Sequence, residues 1–251
     1  MKTEAYLLQM RQVRYTYPGW PAVVDGVDWD IEPGEIHCLV GRSGCGKTTL
    51  LKLAAGLLLP HSGSVELGST PVRAPQSDMG FVFQAPTLLD WLSGLDNVLL
   101  PIALHRTPTD AERAHAHELL ARMGLADRMR QRPGQLSGGQ QSRLAIARAL
   151  VTQPRLLLMD EPFAALDAIT REELQNDLLA VCHAQGTSVF FVTHDMTEAV
   201  YLADRVAVMA RGRIQRDVAI DLPRPRPGTV RYGSRFNTLC AELRAVMDGV
   251  G

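Results

Sequence analysis

The octapeptide Gly41-Arg42-Ser43-Gly44-Cys45-Gly46-Lys47-Thr48 constrains this chain more than any other stretch. It follows a short apolar run, Ile36–Val40, and precedes a segment read as a helix, Thr48–Leu58, which Pro60 stops. A buried strand, a glycine-rich turn and a helix in that order favour one arrangement. Backbone N–H groups turn inward around an anion, at the positive end of the helix. Lys47 then reaches the β and γ phosphates of a nucleoside triphosphate, and Thr48 offers a hydroxyl to Mg²⁺. A glycine turn with no ligand is the bland alternative, and the strand–helix context leaves it little room.

Two further stretches carry phosphate chemistry. The apolar run Leu156–Met159 ends in Asp160-Glu161. On its own such a pair reads as a helix cap. After a phosphate loop, Asp160 reads as a holder of Mg²⁺ through water, and Glu161 as the group that polarises an attacking water. The second stretch is Leu136-Ser137-Gly138-Gly139-Gln140, followed by a helical run to Leu150. Ser137 is a natural helix cap, and the two glycines bare the backbone N–H groups of the first turn. The bland reading is a capped helix after a Pro133-Gly134 turn; the functional one is a second anion site.

The rest of the chain supplies a scaffold. Val23–Ile31 alternates apolar and polar residues, as a half-buried antiparallel strand does. Met79–Phe83, Leu156–Asp160, Val189–Val192 and Val206–Ala210 are short apolar runs with helical segments between several of them. That pattern predicts a largely parallel sheet with flanking helices. Residues 86–155 read as mostly helical. Within them Thr107-Pro108-Thr109-Asp110 is a helix start, with Thr107 as cap. Leu222-Pro223-Arg224-Pro225-Arg226-Pro227-Gly228 is an extended connector, because prolines remove donors and fix φ. A last helix is expected over Arg235–Met247.

Composition sets limits. The 251 residues carry a formal net charge of −1, without the basic surplus of a nucleic-acid binder. Nearly half are hydrophobic, enough for a large core. Cys38, Cys45, Cys182 and Cys240 form no CxxC pair and read as free thiols. Cys45 lies in the glycine loop, where its expected role is small size, although a helix N-terminus can lower a thiol pKa. His115 and His117 are badly spaced for a shared metal and read as solvated. Met1-Lys2-Thr3-Glu4 lacks a signal pattern, and no run approaches the roughly 20 apolar residues of a membrane helix.

Taken in chain order, from about Tyr17 to the Pro/Arg tract near Pro223, these motifs resemble the nucleotide-binding subunit of an ABC (ATP-binding cassette) transporter. The resemblance implies an α/β fold. It has a P-loop NTPase core with a mostly parallel sheet, an N-terminal antiparallel β subdomain and an inserted helical subdomain. Residues 1–251 would form one domain, with the helical part at about 86–155 and a short extension at about 222–251. ATP and Mg²⁺ are the implied cofactors. ATP would be held by Gly41, Arg42, Ser43, Gly44, Cys45, Gly46, Lys47, Thr48 and Thr49. The other chain of a homodimer would add Ser137, Gly138, Gly139 and Gln140, since one γ-phosphate already has its loop. Asp167, in Ala165-Leu166-Asp167, belongs to the segment that crosses the dimer. Tyr17 is the aromatic that stacks on adenine, with Tyr15 as competitor. Thr48, Gln84 and Asp160 are the implied metal residues. Glu161, His194, Gln84 and Lys47 are the implied catalytic ones, His194 as the switch that contacts the γ-phosphate.

Three features point to a group within that family. They are Phe83-Gln84-Ala85-Pro86-Thr87-Leu88-Leu89-Asp90-Trp91-Leu92 with Leu95-Asp96-Asn97-Val98, then Val192–Ala199, then Asp221–Arg226. They look like the nitrate/sulfonate/taurine group of bacterial importers, which includes pyrimidine-precursor carriers; Asp90 stands where such relatives often have Pro. Permease subunits and, indirectly, a solute-binding protein are the implied partners, with the chain at the cytoplasmic face of the inner membrane. Leu88, Leu89, Trp91 and Leu92 are expected to leave apolar surface exposed for the permease. An exporter or lipid-extrusion ATPase, and a soluble cassette acting on DNA or ribosomes, are the alternatives. The latter usually shows a long coiled coil or two cassettes, and this chain shows neither.

Overall fold

A computed structural model describes residues 6–249, which fall into two compact units. One comprises the described residues of Met1–Gln76 and Ser188–Gly251, the other Ser77–Thr187. The reading of Met1–Glu4 lies outside the described residues.

The first unit holds two sheets. β1 (Leu8–Thr16) runs antiparallel to β2 (Ala22–Ile31), with Leu8 opposite Ile31 and Tyr15 opposite Val24. The alternation predicted for Val23–Ile31 is present, with Val24, Val27, Trp29 and Ile31 buried. In β1 the inward set is Leu8, Met10 and Val13. A bulge at Gln12, whose φ is +48°, absorbs the extra residue and keeps Val13 on the core face. β3 (Ile36–Val40) is buried along its whole length. β4 (Ser62–Leu67) pairs with the other edge of β1 and with the two-residue β5 (Thr70–Pro71).

Between β3 and β4 lies α1 (Lys47–Ala54), shorter than the expected Thr48–Leu58. Gly56 ends it at φ +69°, and the amides of Leu57 and Leu58 fold back onto Lys52 O at 2.9 and 3.2 Å. This left-handed closure stops the helix a turn before Pro60 can.

The second unit carries β6 (Met79–Val82) and β7 (Leu156–Asp160), paired in parallel with Val82 opposite Met159. Four helices surround them: α2 (Gly94–Ala103), α3 (Asp110–Arg122), α4 (Gly138–Leu150) and α5 (Ala168–Gln185). The described residues 83–155 contain no strand. The compact unit is wider than that helical block, because it takes in β6, β7 and α5. The cap of α3 is Thr109, not Thr107. Glu112 lies three residues on and closes a capping box with Thr109, whereas Asp110, three residues after Thr107, is itself the first residue of the helix.

The chain then returns to the first unit through β8 (Ser188–Thr193), α6 (Met196–Leu202), β9 (Arg205–Ala210), β10 (Arg213–Ala219) and α7 (Ser234–Gly249). β3 lies between β8 and β9, parallel to both, and β10 is antiparallel to β9. Burial of both faces along their whole length explains why β3 and β8 read as mostly apolar runs without polar alternation.

The proline-rich connector is tied down by one residue. The Arg226 side chain is 1% exposed. Its guanidinium donates to the carbonyls of Tyr201 and Ala203 at 2.8 and 2.7 Å, and more weakly to those of Val200 and Leu222. It therefore satisfies the carbonyl end of α6, while Tyr201 Oη donates back to Arg226 O at 3.1 Å. Burial, with Arg224 nearby, pushes its pKa down to about 10. Arg224, by contrast, reaches Asp204 from a partly exposed position. Arg226→Ala should therefore lower the unfolding free energy by about 2–4 kcal/mol, since it strands several buried carbonyls. Arg224→Ala should cost less than about 1 kcal/mol. Urea titrations of the two variants against the parent check this, and equal losses would show that Arg226 is not the anchor.

Candidate functional site

In the first unit the glycine loop leaves the carboxyl end of β3. Gly41 has no room for a side chain: a Cβ there would lie 2.4 Å from Met209 O and 2.7 Å from Cys45 Sγ. Gly46, the N-cap of α1, has φ +108°, and a Cβ on it would meet Val23 O at 2.3 Å. No side chain caps α1, so its first amides keep their donor capacity. Lys47 is buried, and its ammonium donates to Gly41 O at 2.7 Å and Arg42 O at 3.2 Å. It is thereby curled over the turn from inside. Arg42, Ser43 and Gly44 are exposed, Thr48 is half-buried and Thr49 is buried. A cavity of about 280 Å³ opens beside the loop, lined by Arg42–Cys45, Met209 and Met247 among others. A bare-backbone cradle with a buried cation fits a polyphosphate.

The Cys45 thiol does not follow the helix-end expectation. Burial pushes its pKa up, and the opposing pull of Lys47 is the smaller effect. Its compactness is what the loop uses, since the sulfur already fills the space where a Cβ on Gly41 would sit.

Tyr15 and Tyr17 have different neighbours. Tyr15 stacks flat on His61, with ring centroids 5.0 Å apart, and Tyr17 meets Tyr15 edge-on. The Tyr17 hydroxyl lies 3.5 Å from Thr49 Oγ1, so Tyr17 is the one that reaches toward the loop. Trp20, three residues further on, is 69% exposed.

His194 stands one residue beyond β8. Val40 of β3 pairs with Thr193 of β8, so Gly41 and His194 leave neighbouring strands at the same edge. His194 is exposed, while the turn around it is pinned. Thr193 Oγ1 donates to the buried Glu198 Oε2 at 2.7 Å and accepts from Asp195 N at 3.1 Å. Asp195 caps α6 through Thr197 N at 2.7 Å. The first unit thus brings together the glycine loop, Tyr17 and His194.

The second unit makes a matching edge. Gln84 follows β6 by two residues, and Asp160 is the last residue of β7. The parallel pairing of Val82 with Met159 sends Gln84, Asp160 and Glu161 out on the same side. Asp160 is buried, Glu161 half-buried and Gln84 exposed. Glu161 has φ +45°, a conformation uncommon outside glycine, asparagine and aspartate. The two acidic residues therefore leave the strand in different directions.

Ser137, Gly138, Gly139 and Gln140 form the start of α4. Ser137 Oγ accepts from Gln140 N at 3.3 Å, and Gln140 Oε1 accepts from Ser137 N at 2.9 Å. Ser137 and Gly138 are exposed. A Cβ on Gly139 would lie 2.6 Å from Thr170 Cγ2, so α4 packs tightly on the start of α5. Asp167 caps α5 by accepting from Thr170 N at 3.1 Å. The unit therefore places Asp167 beside the Ser137–Gln140 turn, but it does not place that turn beside Gln84. The loop after Gln84 is gripped by Arg148, eleven residues and about 16 Å along α4 from Ser137.

Three residues that organise this unit went unread in the sequence. Asn97 is fully buried and accepts from Leu89 N at 2.8 Å while donating to Leu89 O and Ser93 O. Arg143 joins α4 to Asp177 and Glu173 of α5 and to Met123 O. Arg148 holds Pro86 and Thr87. The two half-buried arginines recur at i and i+5 on α4, and arginines set among the apolar residues of that helix were the available signal. In the Leu88–Leu92 stretch, which is not helical, Leu88, Leu89 and Leu92 are half-buried, and Trp91 is 70% exposed.

No described helix is long and apolar enough to cross a membrane. Residues 24–164 match the ABC transporter family. The bicarbonate transport ATP-binding protein CmpD of Synechocystis sp. (strain ATCC 27184 / PCC 6803 / Kazusa) is 43% identical over 90% of this chain and 82% of its own length. The aliphatic sulfonates import ATP-binding protein SsuB of Rhodopseudomonas palustris (strain BisA53) is 48% identical over 87% of this chain and 76% of its own. The taurine import ATP-binding protein TauB of Chromobacterium violaceum is 48% identical over 80% and 76%. Among solved structures, the dimeric ATP-binding cassette MJ0796, bound to ADP and Pi after hydrolysis, covers 86% of this chain at TM-score 0.77 and 31% identity, over all of its own length. CbiO1 from Clostridium perfringens, part of the transporter complex cbiONQ, covers 98% of each chain at TM-score 0.81 and 27% identity. The glycine cradle, the two acidic strand-end residues and these likenesses lead to one assignment: the chain belongs to the ABC transporter family, as an ATP-hydrolysing cassette.

Proposed function

We propose that this cassette powers import of a small solute of the nitrate, sulfonate, taurine or pyrimidine-precursor kind, as one half of a homodimer. The supporting observation for the solute class is identity of 43–48% to cassettes named for bicarbonate, sulfonate and taurine transport. The cassette would sit at the cytoplasmic face of the inner membrane, held there by permease subunits, with a solute-binding protein delivering cargo to them. Trp91 and the half-buried leucines around it are the surface offered to the permease. Residues 1–251 would act as one ATPase domain, with the helical block at about 86–155 and the extension at about 222–251 as parts of it.

The chemistry follows from the residues. The amides of Gly41–Thr49 and the Lys47 ammonium bind the phosphates, and Tyr17 stacks on the base. Thr48, Asp160 and Gln84 offer oxygens suited to Mg²⁺, which when bound would neutralise charge on the phosphate oxygens. Glu161 accepts a proton from the attacking water, and His194 donates toward the γ-phosphate. Ser137–Gln140 presents bare amides to an anion. Their distance from the Gln84 loop of their own chain supports a composite site in which they serve a second copy. Asp167, beside that turn, would lie at the same junction.

Two results are expected. Glu161→Gln should retain ATP binding and lose at least about 100-fold in hydrolysis, because it removes the base and leaves the cradle. Nucleotide titration and steady-state ATPase assays on the full chain check this, and near-normal turnover would remove Glu161 from its role. In the second experiment, Lys47→Ala and Ser137→Arg chains are each inactive alone. Mixed, they should regain partial activity, because one composite site then carries both lesions and the other neither. Full hydrolysis by the parent as a monomer at high dilution would defeat the shared-site reading.

A further inference from the structure

The segment after Gln84 is not helical, yet it is held in one shape. Its first grip is Arg148, in the last turn of α4. The guanidinium donates to Thr87 O at 2.8 Å, Pro86 O at 2.9 Å and Thr87 Oγ1 at 3.0 Å. Its second grip is Asn97, which fixes Leu89 through Ser93 from the start of α2. Gln84 thus lies only two to three residues from the arginine's acceptors.

Thr87 gives the first grip its meaning. Its φ is +46°, in the left-handed region, where a β-branched residue is an outlier. Such a conformation persists only where the surroundings impose it, and such residues cluster at sites that must hold a shape. Here the imposing group is the planar fork of Arg148, which engages both carbonyl neighbours of the strained bond pair and the threonine hydroxyl together. A lysine has one ammonium and cannot span that set.

Arg148 and Ser137 are the two ends of one helix. α4 runs unbroken from Gly138 to Leu150, and its interior after Gly139 has neither glycine nor proline. Arg143, midway, ties it to α5. We propose that Arg148 is a positioning residue for ATP hydrolysis. It fixes the Gln84 segment to the far end of the helix that begins at Ser137, so that the two move as one rigid piece. This inference rests on the reading above that Gln84 and Ser137 belong to nucleotide sites.

The test uses the full-length chain with Arg148→Lys, Arg148→Gln and, on the latter, Thr87→Asn. Asparagine accepts the left-handed conformation that threonine resists. Both arginine variants should keep the KM for ATP within about twofold and lose about 10-fold in kcat, the size expected when coupling through a packed element is broken. Hydrogen exchange in residues 84–92 should speed up while the amides of α4 stay protected. Thr87→Asn should recover part of the lost kcat in the Arg148→Gln chain. Unchanged kcat in Arg148→Lys, or loss of protection throughout α4 in step with activity, would overturn the proposal. Glu161→Gln, assayed alongside, separates the two readings. If it is inactive while Arg148→Lys matches the parent, only the positioning role falls. If Glu161→Gln hydrolyses ATP normally, the site assignment itself fails.

Discussion

The tight approach of Gly41 to Met209 O underlies the phosphate cradle. A methyl group would not fit between β3 and the end of β9, so the chain can turn there only as glycine. That closeness lets the loop fold over Lys47, with Cys45 Sγ filling the space beside Gly41. Everything downstream inherits the placement. α1 starts where the loop ends, and the edge at which Gly41 emerges is the edge at which His194 emerges. Two parallel strands in register deliver two loop segments to one side.

The second unit uses the same device with different residues. β6 and β7 send Gln84, Asp160 and Glu161 out at one edge, and the left-handed turn at Glu161 separates the two carboxylates. Asp160 is buried and Glu161 half-buried, so the two neighbouring carboxylates stand in different surroundings.

How much of this could be read from residue types depends on whether the cause was local. The strands Ile36–Val40 and Leu156–Asp160 were legible because burial on both faces favours a near-continuous apolar run. The Ser137 cap and the glycine loop were legible because each is set by neighbours within a few residues. The end of α1 was misplaced by giving Pro60 the role that the left-handed Gly56 performs. The start of α3 was misplaced by two residues, because Thr109 and Glu112 form the reciprocal pair that fixes the cap. The Arg148 and Arg226 contacts stayed invisible, since each depends on where a distant backbone carbonyl lies, and those of Asn97 because they depend on the non-helical fold of residues 85–93. Arginine in an apolar helix announces that a partner exists, not which one.

The division of the first unit across the sequence has a consequence for how the protein is made. β3 lies between β8 and β9, which are encoded about 150 residues later. At about 5–20 residues per second, the ribosome leaves Ile36–Val40 without either neighbour for roughly 8–30 s. During that interval an apolar strand waits with two open edges, while α2, α3 and α4 of the second unit are being made. Synthesis thus completes the sheet around β3 after the helices of the second unit have been made. The length of that exposure is set by the spacing of three strands along the chain.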